Sequence, residues 1–165
     1  MDWTNFDKYR GALDYIIEYK PKHIVEYGSG ESSFIIKELL DHLDYGGKVT
    51  SYEDNSFFLD KANELGWNNE NTIKLVDIEY TDKDRGIVRY IHPTEDIHDV
   101  DFIILDGPDY KRFKDNNGNP GNITDNIEVI YNTIKYDVPF WIDGRTGCRE
   151  YYKNLGYTNI IGGYE

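Results

Sequence analysis

The chain of 165 residues is 39% hydrophobic and 15% aromatic, enough to bury one core and too short for two ordinary domains. Lys and Arg total 18 against 31 Asp and Glu, a formal net charge of -13, so the average field repels nucleic-acid phosphates and anionic bilayers. A single cysteine, Cys148, excludes an intrachain disulfide and a zinc ribbon, and no apolar run approaches the roughly 18 residues of a membrane span.

Leu13, Ile16 and Ile17 recur at helical spacing after the capping-box pair Thr4 and Asp7, and Pro21 interrupts them. His23 to Tyr27 is a β-branched and aromatic strand ending at Gly28, followed by a helix with Ser32 as its expected cap. Lys48 to Glu53 is a second strand, and Asn55 or Ser56 caps a helix bearing Phe58, Leu59, Ala62 and Leu65 that ends at Gly66. Thr72 to Tyr80 is expected as a third strand and Gly86 to Ile91 as another, with a hairpin excursion between them. The nearly continuous apolar run from Val100 to Leu105 suits a central strand buried on both faces. A helix through Ile123, Ile127, Ile130 and Ile134 follows, then a strand from Val138 to Ile142, a short helix closed by Gly156, and an edge strand within Tyr157 to Gly163.

Alternating strands and helices imply an α/β fold: a three-layer, Rossmann-like, mostly parallel sheet with helices on both faces in one domain over residues 1 to 165. In such folds ligands sit beyond the carboxyl ends of the strands. Glu26, Glu53, Asp106 and Asp143 all fall there. Gly28 and Gly30 let backbone approach a ligand closely. Gly28-x-Gly30 also begins a pyrophosphate-binding fingerprint, but Ser33 occupies the third glycine position, and the Glu26 carboxylate suits a cationic ligand better than pyrophosphate.

Glu26-Tyr27-Gly28-Ser29-Gly30 resembles the first motif of class I S-adenosylmethionine-dependent methyltransferases. The resemblance implies that Glu26, Gly28, Ser29 and Gly30 contact or organise the methionine part of the cofactor. It further implies that Glu53 binds the ribose, that the region of Asp77 lies near the adenine, and that Asp106-Gly107-Pro108 faces the methyl group and its acceptor. The expected activity is methyl transfer, with Asp106 as general base or acceptor anchor. The Asp-Gly-Pro-Asp sequence departs from the motif of base amino-methyltransferases. Asp106 and Asp143 match part of a metal-dependent catechol-type site, whose usual asparagine is Gly144 here, so no metal is assigned.

Pro108 to Asn122 is a long connection, expected to be mobile and suited to a lid. Its Lys111 and Arg112, with Arg145 on the same predicted edge, are candidates to bind an anionic small-molecule acceptor. Tyr27, Tyr52 and Tyr110 are candidate pocket walls, and the four histidines lack metal-ligand spacing. No nucleic acid or membrane partner is expected, and the polar start from Met1 to Asp7 points to the cytoplasm. The Asn122-Ile123-Thr124 sequon carries no weight without a secretory signal. Two other functions use the same residues: binding or breaking down S-adenosylmethionine without methyl transfer, and nucleotide-dependent oxidation and reduction.

Overall fold

A computed structural model of the chain describes residues 6–64, 72–109, 111–121 and 123–162. The elements run α1 (Phe6–Tyr19), β1 (His23–Tyr27), α2 (Glu31–Leu43), β2 (Lys48–Glu53), α3 (Ser56–Glu64), β3 (Thr72–Leu75), β4 (Ile78–Asp82) and β5 (Ile87–Tyr90). After a 3₁₀ turn (Thr94–Ile97) come β6 (Phe102–Leu105), β7 (Ile123–Thr124), α4 (Asn126–Ile134), β8 (Phe140–Ile142), α5 (Thr146–Asn154) and β9 (Ile160–Ile161). The main sheet has the order β3-β2-β1-β6-β8-β9, and every pairing in it is parallel. The order reverses between β1 and β6, which places the crevice for a ligand at their carboxyl ends.

Successive strand residues face opposite sides, and the core divides accordingly. Val25, Tyr27, Ile103, Leu105, Phe140 and Ile142 pack on Ile127, Ile130, Cys148 and Tyr152 of α4 and α5. Ile24, Val49, Phe102, Ile104 and Trp141 pack on Leu13, Ile16, Ile35, Ile36 and Leu40 of α1 and α2. These two cores make the three layers. No helix among the described residues is long and apolar enough to cross a membrane.

The structure alters or adds to several details of the sequence reading. The expected strand Thr72 to Tyr80 breaks at Val76-Asp77, where the chain leaves the main sheet and turns into a second sheet of order β4-β5-β7. Ile123 lies in β7 rather than in the helix, because Ile123 and Thr124 pair with Ile87 and Val88 before α4 begins. Residues 111–121 form a tight turn: Asp115 Oδ1 accepts the Asn117 and Asn119 N–H groups at 2.9 and 2.8 Å, and Tyr80 Oη clasps the Lys114 N–H at 2.9 Å. Ser32 is not the cap of α2; Gly30 is, with its N–H donated to Ser33 Oγ at 3.2 Å. Asn55 caps α3 by accepting the Phe57 N–H at 3.1 Å. The expected roles of Thr4, Leu65, Gly66, Tyr110, Asn122 and Gly163 lie outside the described residues.

Candidate functional site

Beyond the ends of β1, β2 and β6 is a cavity of about 270 Å³, with Ser29, Glu53, Tyr90, Asp106, Gly107 and Arg145 in its wall. Its floor is backbone pressed on backbone. Gly28 has φ 88° and donates its N–H to Tyr52 O at 2.9 Å, while Gly107 N–H meets Tyr27 O at 2.6 Å. A Cβ on Gly107 would collide with Tyr90 Oη and lie 2.6 Å from Gly28 Cα, so this approach requires glycine.

Glu53 is 5% exposed and ties two loops together. Its Oε2 accepts Ser29 N–H at 2.7 Å and Ser29 Oγ–H at 3.0 Å, and its Oε1 accepts the N–H groups of Asp54 and Asn55 at 3.0 and 2.9 Å. Those four bonds use the acceptor positions a carboxylate has. Burial, with the neighbouring Asp54, pushes its carboxyl up to about 7. Glu53 is therefore in the glycine loop's grip, and any further donor to Oε2 has to take the place of Ser29.

Glu26 stands elsewhere than expected. It shares a sheet face with Ile24, which turns it away from the cavity and under the first turn of α2. There it is fully buried and accepts hydroxyl protons from Ser32 at 2.6 Å, from Ser51 at 2.5 Å and from Ser33. Burial raises its carboxyl above the usual range. Glu26 organises the glycine turn from behind and is not part of the cavity wall. Glu31, in the first turn of α2, and the Ser33 hydroxyl on Gly30 N–H still disfavour pyrophosphate at that helix end.

Ser32 also lies 3.0 Å from Asp106 Oδ2. One hydroxyl has one proton, so the two contacts of Ser32 together need a proton on Glu26 or on Asp106. Burial and the adjacent Asp143 push the Asp106 carboxyl well above the ordinary aspartate range, in agreement with that count. Lys8 of α1 supplies the local cation, 3.0 Å from Asp143 Oδ2 and 3.7 Å from Asp106 Oδ1. The opening helix gave no sequence signal for this role. Lys8 also lines a second cavity of about 470 Å³ with Gly11 and Trp141, where the indole N–H is buried and unpartnered. Among the described residues no group of His, Cys, Asp and Glu side chains is arranged to hold a metal ion.

The remaining candidates separate. Arg112 reaches the cavity but forms an ion pair with Asp54, and Lys111 is exposed. Asp77 is exposed and its carbonyl accepts Ile91 N–H at 2.9 Å, outside the cavity wall. Arg145 donates to Pro108 O at 2.8 Å and to Asp106 O at 2.5 Å, bracing the peptide on either side of Gly107. Tyr27 and Tyr52 are buried in the core beside His92, not in the cavity wall: Tyr27 Oη–H donates to His92 Nε2 at 2.8 Å, because Nδ1–H donates to Pro93 O at 3.1 Å.

No family model matches the chain, and no curated protein matches it.

Proposed function

We propose that the cavity binds S-adenosylmethionine and that the protein transfers its methyl group to a small acceptor. The observation that carries this reading is the contact of the glycine turn with the acid ending β2: Ser29 and Glu53 meet at 2.7 Å on one cavity wall, with Asp106 on the same wall. Four acids and two arginines line the cavity, a mixture that suits a ligand carrying groups of both signs. Its size lies just under the roughly 300 Å³ lower end for ligand sites, suited to a single nucleoside unit better than to a dinucleotide.

Glu53 would hold the ribose and Ser29 the edge of the glycine turn, while the cofactor itself supplies an activated methyl group on sulfur. With its carboxyl pushed well above the ordinary aspartate range, Asp106 would serve as an acceptor anchor that donates a hydrogen bond, a role this shift favours over that of general base. The main sheet's order is also that of dinucleotide-binding folds, so a nicotinamide cofactor is the reading to test beside it.

Calorimetric titration with S-adenosylmethionine, S-adenosylhomocysteine and NAD decides between them, with Glu53→Ala as the control. Saturable binding of the first two, weakened at least tenfold by the substitution, is expected. Binding of NAD alone, or of none of the three, refutes the proposal.

A further inference from the structure

Two buried donors in the cavity wall have no partner. Tyr90 is 1% exposed, and its Oη, packed on Gly107, makes no hydrogen bond; the Nε–H of Arg145 is likewise buried and unpartnered. Each such group forfeits on the order of 1–3 kcal/mol unless something accepts from it. Both residues lie against one segment: Arg145 clasps the carbonyls of Asp106 and Pro108 on either side of the glycine that Tyr90 touches. Arg145 is near enough that its charge partly offsets the upward push that burial gives the Tyr90 phenol.

We infer that Arg145 Nε–H and Tyr90 Oη–H form a carboxylate-binding subsite beside Gly107, deepening the reading that this cavity receives a small-molecule ligand. A guanidinium edge and a phenol offer two donors and one positive charge, which match the two acceptor oxygens and single charge of a carboxylate. Two of the four acids nearby are set little against that charge: Asp54 is paired with Arg112, and burial with the adjacent Asp143 pushes Asp106 toward its neutral form. A phosphate dianion lacks the second cation that this arrangement would need, since Arg112 is engaged by Asp54. The carboxylate comes either from the amino-acid end of S-adenosylmethionine or from the acceptor.

The test is nitrogen-15 NMR of the Arg145 Nε–H resonance, assigned by its loss in Arg145→Lys. The titrants are S-adenosylhomocysteine, 5′-methylthioadenosine (which lacks the carboxylate), propionate, benzoate and inorganic phosphate, with calorimetry of S-adenosylhomocysteine alongside. The expected result is a saturable downfield shift with a carboxylate titrant and none with 5′-methylthioadenosine, and affinity about tenfold weaker in Tyr90→Phe. A shift with S-adenosylhomocysteine and none with the simple acids assigns the carboxylate to the cofactor. A shift with propionate or benzoate, while S-adenosylhomocysteine binds without one, assigns it to the acceptor. A shift with the simple acids while S-adenosylhomocysteine does not bind keeps the subsite and refutes the proposed function. The inference is overturned if no carboxylate moves the resonance, if phosphate moves it equally, or if Tyr90→Phe binds carboxylates like the wild type.

Discussion

Removing the Tyr90 hydroxyl should stabilise the protein, against the usual direction for deleting a buried atom. Tyr90→Phe takes away a polar group that is buried without a partner, recovering roughly 1–3 kcal/mol of desolvation cost. The void left is about that of one oxygen, on the order of 10–15 Å³, which costs only about 0.3 kcal/mol at the measured cavity coefficient. Gly107 is the atom's immediate neighbour and gains room. The net expectation is about 1 kcal/mol of added stability or slightly more, a rise in Tm of about 2–4 °C for a chain of this size. Urea unfolding followed by circular dichroism measures it, with Cm moving up at constant m. A loss of 1 kcal/mol or more would mean that the hydroxyl is satisfied in solution, and the assignment of a waiting donor would fall with it.

Glu26→Leu leaves the hydroxyls of Ser32, Ser33 and Ser51 without their acceptor and should cost on the order of 3 kcal/mol in the same urea assay; an unchanged Cm refutes the role given to Glu26. Glu53 binds its proton more tightly folded than unfolded, so its contribution is greatest below pH 4.5 and is lost as pH rises to about 7. That amounts to roughly 3 kcal/mol of slope between those limits, which Glu53→Gln should flatten; a slope that persists in the variant assigns the proton elsewhere. Lys8→Met removes the cation beside Asp106 and Asp143, so the Asp106 carboxyl, followed by carbon-13 NMR, should titrate at a higher pH than in the wild type. An unmoved titration would show that Lys8 does not set that charge.

The sheet was largely legible because β1, β2, β6 and β8 are short β-branched or aromatic runs between glycines, polar turns and amphipathic helices. The exchange of sheets at Val76-Asp77 was not: the apolar alternation slips by one residue there, from Ile73 and Leu75 to Val76, Ile78 and Tyr80, but no glycine or proline marks a turn. Ile123 misled in the opposite sense: its spacing to Ile127 and Ile130 is helical, while a tertiary pairing with Ile87 holds it extended. At the site, the motif located Gly28, Ser29, Glu53 and Asp106 on one cavity. It misdirected Glu26, whose orientation follows from strand parity and from Ser51, its partner directly across β2. Lys8 and Tyr90 come from elements remote in sequence, and only packing brings them to Asp106 and Gly107.

The clasp of Ser29 on Glu53 turns recognition into an exchange reaction. On the proposed reading, a sugar diol arriving at Oε2 would displace a hydroxyl and an amide already seated there at 3.0 and 2.7 Å, so part of what the new bonds release goes into breaking the old ones. The clasp would then hold back part of the affinity that Glu53 supplies, and the freed Ser29 amide would become a donor available to the newcomer. Weakening the clasp, as Ser29→Gly does by deleting its hydroxyl, would let a ribose bind more tightly than it does in the native protein.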